Sequence, residues 1–273
     1  MVQIVCTGKG AAMAIPKIAN QVYAMAQTQT PSVLYLGTPS YDSMQVFETQ
    51  TKGWTNCPIT KLDLSEVPDS RANEEITYPT KEEMKKLVHE ADVIQVSGGN
   101  TLYAMKRWQD IGMADILCEA AARDDGPVVC GGSAGAICWF EKGNSDSMNP
   151  MTFLNPDPNL TEEEKLDWDY ISIDALGILK GLCVPHYDVM QHNNIFRAEA
   201  SNKMLMEEFS EYTLIGIDEE AAFVVNGKSA SVVQGSPDAK VYRKTYNKET
   251  QKIDVQEITE DSGILSLVDM GLL

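Results

Sequence analysis

Residues 128–136 read Val-Val-Cys-Gly-Gly-Ser-Ala-Gly-Ala, an apolar run that ends in a cluster of small residues around Ser133. Residues 131–135 match the G-x-S-x-G pattern of a nucleophile elbow, a sharp turn between a buried strand and a helix. Small neighbours permit the strained backbone of such a turn, and the free N–H groups at the helix N-terminus can stabilise an oxyanion. The alternative is a strand-to-helix turn without chemistry, because glycine-serine turns are common.

The composition is that of a soluble globular protein. The chain has 273 residues, of which 43% are hydrophobic and 23% charged, so residues 1–273 are expected to form a single domain. No apolar run approaches the roughly 20 residues that span a membrane, and no basic segment precedes the apolar residues of the N-terminus. The cysteines are scattered and indicate reduced thiols in a cytoplasmic protein; they are Cys6, Cys57, Cys118, Cys130, Cys138 and Cys183.

The charge is strongly negative. A net charge of −18 argues against nucleic acid and anionic membrane surfaces as partners. Acidic residues are concentrated at 155–175 and 207–220, and both stretches are interpreted mainly as solvated helix faces.

Strand-like apolar runs alternate with helical patterns over the first two thirds of the chain. This alternation predicts an α/β fold with a mainly parallel sheet and helices on both faces. The predicted strands are 2–6, 32–37, 59–64, 92–96 and 127–130, and the predicted helices are 11–27, 39–47, 80–90, 100–109, 112–124 and 134–140.

The last third favours antiparallel strands. Residues 221–225 and 229–234 flank Asn226-Gly227, which predicts a type I′ hairpin, and residues 241–246 and 252–258 predict another. We expect these strands to extend the same domain. Residues 143–170 form a polar insertion that is expected to be a long, functional loop, with its role as a lid left open.

A serine nucleophile needs a base and an acid that orients it. Of the three histidines, His89 lies at the end of a predicted amphipathic helix of Glu and Lys, and His192 lies in a polar stretch. His186 follows the strand-like residues 182–185, and the ends of strands are where open α/β sheets place site residues. The acid is expected after the strand 213–217, where any of residues 218–220 could serve.

A second glycine motif, Ser-Gly-Gly-Asn-Thr, occupies residues 97–101 and also joins a strand to a helix. Two consecutive glycines allow backbone N–H groups to turn towards an anion. A phosphate loop is not indicated, because the Gly-Lys-Ser/Thr signature is absent from this motif.

Four motifs together resemble one family of serine peptidases, which includes peptidase E (the aspartyl dipeptidase) and cyanophycinase. They are Ser-Gly-Gly-Asn-Thr (97–101), Gly-Gly-Ser-Ala-Gly-Ala (131–136), Val-Pro-His-Tyr (184–187) and Gly-Ile-Asp-Glu (216–219). The resemblance covers nearly the whole chain and is closer to peptidase E. It implies a fold similar to the class I glutamine amidotransferase domain, which is flavodoxin-like, with serine in place of the amidotransferase cysteine.

The resemblance also implies residue roles. Ser133 resembles the nucleophile, His186 the general base and Glu219 the acid that orients it. Backbone N–H groups of Gly99 and Ala134 would stabilise the oxyanion. Two residues would bind substrate, namely Asn100 and Arg197, of which Arg197 would recognise an aspartate side chain. The alternative for Arg197 is an ion pair with a nearby acid such as Glu199 or one at 207–211.

These implications predict a cytoplasmic serine peptidase of short peptides, specifically dipeptides with an N-terminal aspartate, that uses no metal and no cofactor. The expected partner is a small peptide substrate, with no nucleic acid and no membrane; a homodimer is left open. Three alternatives remain: a cyanophycinase-like hydrolase, an amidotransferase-like hydrolase that uses Cys130 or Cys138, and a non-catalytic binding or scaffold protein on the same fold.

Overall fold

A computed structural model describes residues 1–66, 77–191 and 193–273 of the chain. Its strands are β1 Gln3–Thr7, β2 Val33–Leu36, β3 Ile59–Leu62, β4 Val93–Val96, β5 Val128–Gly132, β6 Phe140–Ser145, β7 Ile171–Asp174, β8 Leu179–Val184, β9 Leu214–Ile217, β10 Ala221–Asn226, β11 Ser229–Gln234, β12 Val241–Asn247, β13 Lys252–Ile258 and β14 Leu265–Ser266. Its helices are α1 Pro16–Ala26, α2 Met44–Gln50, α3 Lys81–Glu90, α4 Thr101–Ile111, α5 Met113–Ala122, α6 Ala134–Ile137, α7 Glu162–Leu166, α8 Arg197–Glu207 and α9 Leu267–Met270.

The larger sheet has its strands in the order β14-β11-β10-β1-β5-β4-β2-β3. Strands β1, β5, β4, β2 and β3 are parallel, and β10, β11 and β14 continue the sheet in antiparallel pairing. Neighbouring residues of β1 belong to different apolar clusters: Val5 packs with Ile18 of α1, and Cys6 lies in the cluster that contains Trp108 of α4. Helices therefore cover both faces, which confirms the predicted α/β architecture.

The smaller sheet has the order β13-β12-β9-β8-β6-β7, with β6, β8 and β9 parallel. One face contributes Cys183 and Ile215 to the cluster that contains Trp108, and the other packs Leu182 against Leu205 of α8. The predicted antiparallel strands of the C-terminal third form, and they divide between the two sheets. Strands β10 and β11 do extend the larger sheet, but β12 and β13 pair with β9 in the smaller one.

The stretch expected as a polar loop at 143–170 contains regular structure. Helix α6 ends at Ile137, not at residue 140, and the chain enters β6 at Phe140. Asn144 and Ser145 are fully buried in this strand despite their polar side chains. Because pairing with β7 and β8 holds β6 in place, no local apolar alternation was needed to form it. The rest of the stretch includes α7 and ends directly before β7.

Two predicted helices begin later than expected. The helix predicted at 11–27 is a 3₁₀ turn at Gly10–Ala14 followed by α1, because Ile15 precedes a proline and takes an extended conformation. The helix predicted at 39–47 begins only at Met44. Tyr41 and Asp42 have φ angles of 53° and 59°, and this left-handed backbone interrupts the helix.

Local capping and turn signals had mixed outcomes. Thr80 caps α3 in a capping box with Glu83, as its position predicts. The β10–β11 hairpin forms, but Asn226 pairs with Ser229, so the turn residues are Gly227 and Lys228. Only Gly227 of these two has a positive φ, and the turn is therefore not type I′.

Within the described residues, every helix is too short or too polar to cross a membrane.

Candidate active site

The turn after β5 has the strained geometry of a nucleophile elbow. Ser133 has φ 56° and ψ −118°, a conformation that is rare for any residue other than glycine, and it lies directly before α6. The residue is 9% exposed. The elbow lies at the carboxyl end of β5, between the ends of β1 and β4, so the sheet order brings the loops after these three strands together.

Residues 7–9, which are the last residue of β1 and the start of the loop after it, connect Ser133 to His186. The Ser133 N–H donates a hydrogen bond to the Thr7 carbonyl, at 3.2 Å, and the His186 N–H donates one to the next carbonyl, that of Gly8, also at 3.2 Å. His186 follows β8 of the smaller sheet and has a φ of 50°. The two residues, from different sheets, are therefore attached to consecutive peptide groups of one loop.

The same segment holds Glu219, which lies in the turn between β9 and β10. The Lys9 N–H donates to the Glu219 carbonyl at 3.2 Å, and the Lys9 ammonium lies 3.2 Å from Glu219 Oε2. This close approach requires glycine at position 8, because a Cβ there would lie 2.7 Å from the Glu219 Cα and 2.1 Å from the Asp218 carbonyl oxygen. The three residues 7–9 thus each make a backbone hydrogen bond with one of the three predicted catalytic residues.

The imidazole of His186 is oriented by Glu219. Its Nδ1 lies 2.8 Å from Glu219 Oε1, so the other ring nitrogen, Nε2, is left for a reacting group. The hydrogen bond from His186, with a further contribution from Lys9, lowers the pKa of Glu219 to about 2. Asp188 fixes the turn from the other side, since its Oδ1 accepts the Glu219 N–H at 2.9 Å. Glu219 is therefore a fixed, ionised carboxylate at neutral pH.

Asp218 and Glu220, the alternatives to Glu219, have other partners. Burial raises the pKa of Asp218 to about 6, and its Oδ2 accepts the Lys240 N–H at 2.8 Å. Glu220 forms an ion pair with Lys9 at 3.1 Å. Neither has a hydrogen bond to the His186 ring among the described residues.

Two backbone N–H groups beside Ser133 have no hydrogen-bond acceptor among the described residues. They belong to Gly99, after β4, and Ala134, the first residue of α6. Gly99 has a φ of 134°, and a Cβ there would lie 2.1 Å from the Pro39 carbonyl oxygen. A Cβ added at Gly98 would lie 3.4 Å from the Cβ of Ser133, so Gly98 lies beside the elbow. Free N–H groups in these positions are suited to an oxyanion.

Asn100 has its side chain fully engaged with the protein. Its Oδ1 accepts the Tyr103 N–H and caps α4, while its Nδ2 donates to the Ser147 carbonyl and to Thr152 Oγ1. The residue is 4% exposed. In this structure its amide joins the start of α4 to residues 147–152, and its role in substrate binding stays a prediction.

Arg197 is also turned inwards. Its side chain is fully buried at the start of α8, where Nε and Nη2 donate to Asn144 and Nη1 lies 3.4 Å from Asp146 Oδ2. The guanidinium stacks on Tyr170 at 5.1 Å from the ring centroid. The structure gives no support to Arg197 as a reader of substrate carboxylates, and the acid it pairs with is Asp146, not Glu199 or one of the 207–211 run.

The remaining candidate groups lie elsewhere. The exposed ring of His89 contacts Arg123 at 2.7 Å, and His192 lies outside the described residues. Cys130 and Cys138 are buried, and burial raises the pKa of both thiols. Within the described part of the chain, no group of three or more His, Cys, Asp or Glu side chains is arranged to hold a metal ion.

Sequence reasoning missed the loop at residues 7–9. Thr7 and Gly8 act through carbonyl groups that any residue has, and Lys9 is an isolated lysine in a glycine-containing loop. The apolar strand before this loop and the two glycines that flank Lys9 were the available signals. They indicated a strand end but gave no reason to connect it with Glu219, more than 200 residues later.

Comparisons with known proteins show the family of the chain. The model of peptidase family S51 matches residues 5–233. An uncharacterized peptidase of Bacillus subtilis (strain 168), YgaJ, is 30% identical over 249 residues, which are 89% of this chain and 92% of that protein.

Two solved structures share the fold. A peptidase from an acI-B1 Actinobacterium has a TM-score of 0.64 and 19% identity over 97% of each chain. A candidate peptidase E protein from Listeria monocytogenes EGD-e has a TM-score of 0.58 and 19% identity over 86% of this chain and 98% of its own.

Proposed function

The chain belongs to peptidase family S51 and is a serine-type peptidase, and from this premise we propose that it hydrolyses short peptides through a triad of Ser133, His186 and Glu219. The observation that carries the proposal is the shared attachment of these residues to the loop after β1. Their backbone hydrogen bonds to residues 7–9 keep a strained serine, an oriented imidazole and an ionised carboxylate in one place.

The mechanism follows from the available atoms. Ser133 Oγ attacks the scissile carbonyl carbon while His186 Nε2 takes the hydroxyl proton, and the oxyanion accepts hydrogen bonds from the Gly99 and Ala134 N–H groups. Glu219 holds Nδ1 and stabilises the imidazolium. The peptide C–N bond then breaks as the imidazolium gives its proton to the leaving amine, and the acyl group stays on Ser133 Oγ. Water attacks the acyl carbon while His186 Nε2 takes its proton, and the ester bond breaks as that proton passes to Ser133 Oγ.

The proposed substrate class is a dipeptide or another short peptide, and N-terminal aspartate is the first residue to test, because the resemblance to peptidase E suggests it. The proposal gives Arg197 no contact with this residue, since its guanidinium is buried against Asn144 and Asp146. A screen of Asp-X, Asn-X and Ala-X dipeptides with wild type and Ser133→Ala measures the preference.

A fluorophosphonate probe tests the triad without knowledge of the substrate. Labelling at Ser133, found by peptide mass spectrometry and slowed in His186→Ala, would support the proposal. Absence of both labelling and hydrolysis would favour the non-catalytic scaffold. Turnover that iodoacetamide blocks while Ser133 stays unlabelled would favour a cysteine enzyme, although the raised pKa and burial of Cys130 and Cys138 argue against one.

A further inference from the structure

The carboxylate of Glu219 is shared between two cations. Its Oε1 faces His186 Nδ1 at 2.8 Å, and its Oε2 faces the Lys9 ammonium at 3.2 Å. Lys9 also donates its backbone N–H to the Glu219 carbonyl. The lysine therefore holds Glu219 by both its main chain and its side chain, and it occupies the carboxylate oxygen that the histidine leaves free.

The contact between Lys9 and Glu219 is sheltered from solvent. The two side chains are each 28% exposed, so the pair is less screened than an ion pair on the open surface. Although partial burial opposes its charge, hydrogen bonds to Glu220 and Glu219 raise the pKa of Lys9. Lys9 is thus a cation across the whole pH range in which a histidine titrates.

We propose that Lys9 is a positioning residue for the reaction: it fixes Glu219 against His186 and, by its charge, lowers the pH at which the imidazole becomes neutral. The inference rests on the proposed triad. A carboxylate without Lys9 would stabilise the imidazolium more strongly, because its negative charge would be uncompensated. With Lys9 in place, the imidazole becomes available as a base at lower pH.

Other charged groups around this cluster must be considered. Glu220 shares the ammonium of Lys9, and Asp188 accepts the Glu219 N–H. Asp218 interacts electrostatically with Asp188 and Lys240, and burial raises its pKa to about 6. Asp218 therefore titrates close to the range expected for a histidine, and an experiment on His186 has to be separated from it.

The most direct measurement is an NMR titration of the His186 ring, which is feasible because the chain has three histidines. The His186 resonances are assigned by their loss in His186→Gln. In Lys9→Met we expect the midpoint of the His186 titration to rise by about 0.5–1 pH unit, because one positive charge is lost at short range. Lys9→Arg should stay near wild type, because it keeps the charge.

A matched control is Lys17→Met, which removes a lysine from its ion pair with Glu260, away from the triad residues and their contacts. Its His186 midpoint should equal that of wild type. A midpoint in Lys9→Met that also equals wild type would overturn the inference, provided that thermal unfolding shows both variants to be folded.

The rate of Ser133 labelling by a fluorophosphonate gives the functional readout. In Lys9→Met this rate should fall roughly three- to tenfold near pH 6 and much less at pH 9, as expected for a shifted midpoint. The shift should persist in an Asp218→Asn background. If it disappears there, the midpoint belongs to Asp218 and the inference fails.

The two proposals fail in different ways. If Ser133 of wild type is labelled but the His186 midpoint does not respond to Lys9→Met, the role of Lys9 is refuted and the triad stands. If the midpoint responds but Ser133 is never labelled, the charge coupling stands and the triad as a catalytic unit is refuted.

Discussion

Ser133 and His186 donate their backbone N–H groups to consecutive carbonyls, those of Thr7 and Gly8, although one residue follows a strand of the larger sheet and the other a strand of the smaller sheet. The loop after β1 is therefore the point at which the two sheets share a site. Because its contacts are made by the main chain, the relative placement of Ser133 and His186 depends on the backbone of residues 7–9 more than on their side chains.

The strained backbone of Ser133 has a measurable consequence for stability. Ser133→Ala and Ser133→Gly should both abolish turnover, because both lack the hydroxyl. Glycine adopts a φ of 56° with ψ −118° without the steric cost that alanine has. We therefore expect Ser133→Gly to have a free energy of unfolding about 1 kcal/mol higher than Ser133→Ala, measured by urea denaturation. If Ser133→Gly were instead less stable than Ser133→Ala, as the greater entropy of glycine in the unfolded chain alone would make it, the elbow would not be strained.

Glu219→Gln should keep the fold and lower kcat roughly 10²–10⁴-fold, since a neutral amide can hold the wrong imidazole tautomer. His89→Ala is the matched histidine control and should keep nearly full activity, because its ring lies with Arg123 on the surface. A smaller loss in Glu219→Gln than in Asp218→Asn would contradict the assignment of the acid.

Glu219 also affects acid stability. Its pKa is lowered to about 2 in the folded protein, so its contribution to stability is complete above its ordinary value of 4.5 and is lost as the pH falls towards 2. In Glu219→Gln the free energy of unfolding should decline less between pH 5 and pH 2, by about 2 kcal/mol after allowance for solvent screening. Parallel pH profiles of mutant and wild type would refute this.

The sequence predicts those parts of the fold that have a local cause. The apolar run before Ser133, the glycines around it and the N-cap Thr80 each determine their own conformation, and the structure bears them out. Strand β6 could not be found in this way, because its buried Asn144 and Ser145 are strand residues only through pairing with distant strands. The same holds for the division of the C-terminal strands between two sheets.

The site shows the same limit. The residue types of Ser133 and His186, placed at strand ends, indicated the chemistry that we propose for them. Arg197 was chosen because the resemblance to peptidase E implies a substrate-reading arginine downstream of the histidine. Its burial argues against that role, because a buried guanidinium must be paired within the protein. Lys9 gave no such signal, since its partner Glu219 is distant in sequence and contacts it only through the fold.

Arg197→Met should destabilise the fold without changing substrate preference. It leaves Asp146 without its cation and Asn144 without two donors, a loss of about 3 kcal/mol in the free energy of unfolding. Adding Asp146→Asn should recover part of this loss. The ratio of kcat/KM for an Asp-X dipeptide to that for the matching Ala-X dipeptide should stay unchanged. A selective tenfold loss on Asp-X would show that Arg197 reads the substrate.

Gly99→Ala and Gly98→Ala form a matched pair. A Cβ at position 99 would lie 2.1 Å from the Pro39 carbonyl oxygen on a backbone with φ 134°, so the loop must move and its N–H with it. We expect a loss of roughly 10²–10³-fold in kcat, as for other lost oxyanion donors. At position 98 the nearest atoms are 3.4 Å from the added Cβ, and the variant should keep wild-type stability. Equal stabilities of the two variants would contradict this view of the loop.

Asp218 should make the fold less stable as the pH rises. Burial raises its pKa from 3.8 to about 6, so the folded state binds the proton more tightly than the unfolded state, and stability falls between about pH 4 and pH 6. Its Oδ1 is buried without a hydrogen bond among the described residues, while Oδ2 accepts the Lys240 N–H. Asp218→Asn removes the ionisation, so its free energy of unfolding relative to wild type should increase by up to about 3 kcal/mol from pH 4 to pH 7.

Glu119→Gln, which changes a carboxylate that is 67% exposed, is the control, and its free energy of unfolding relative to wild type should change little with pH. A flat difference for Asp218→Asn as well would mean that its carboxyl group is ionised at pH 4 in the folded protein, and that the turn before Glu219 carries one more negative charge beside the proposed triad.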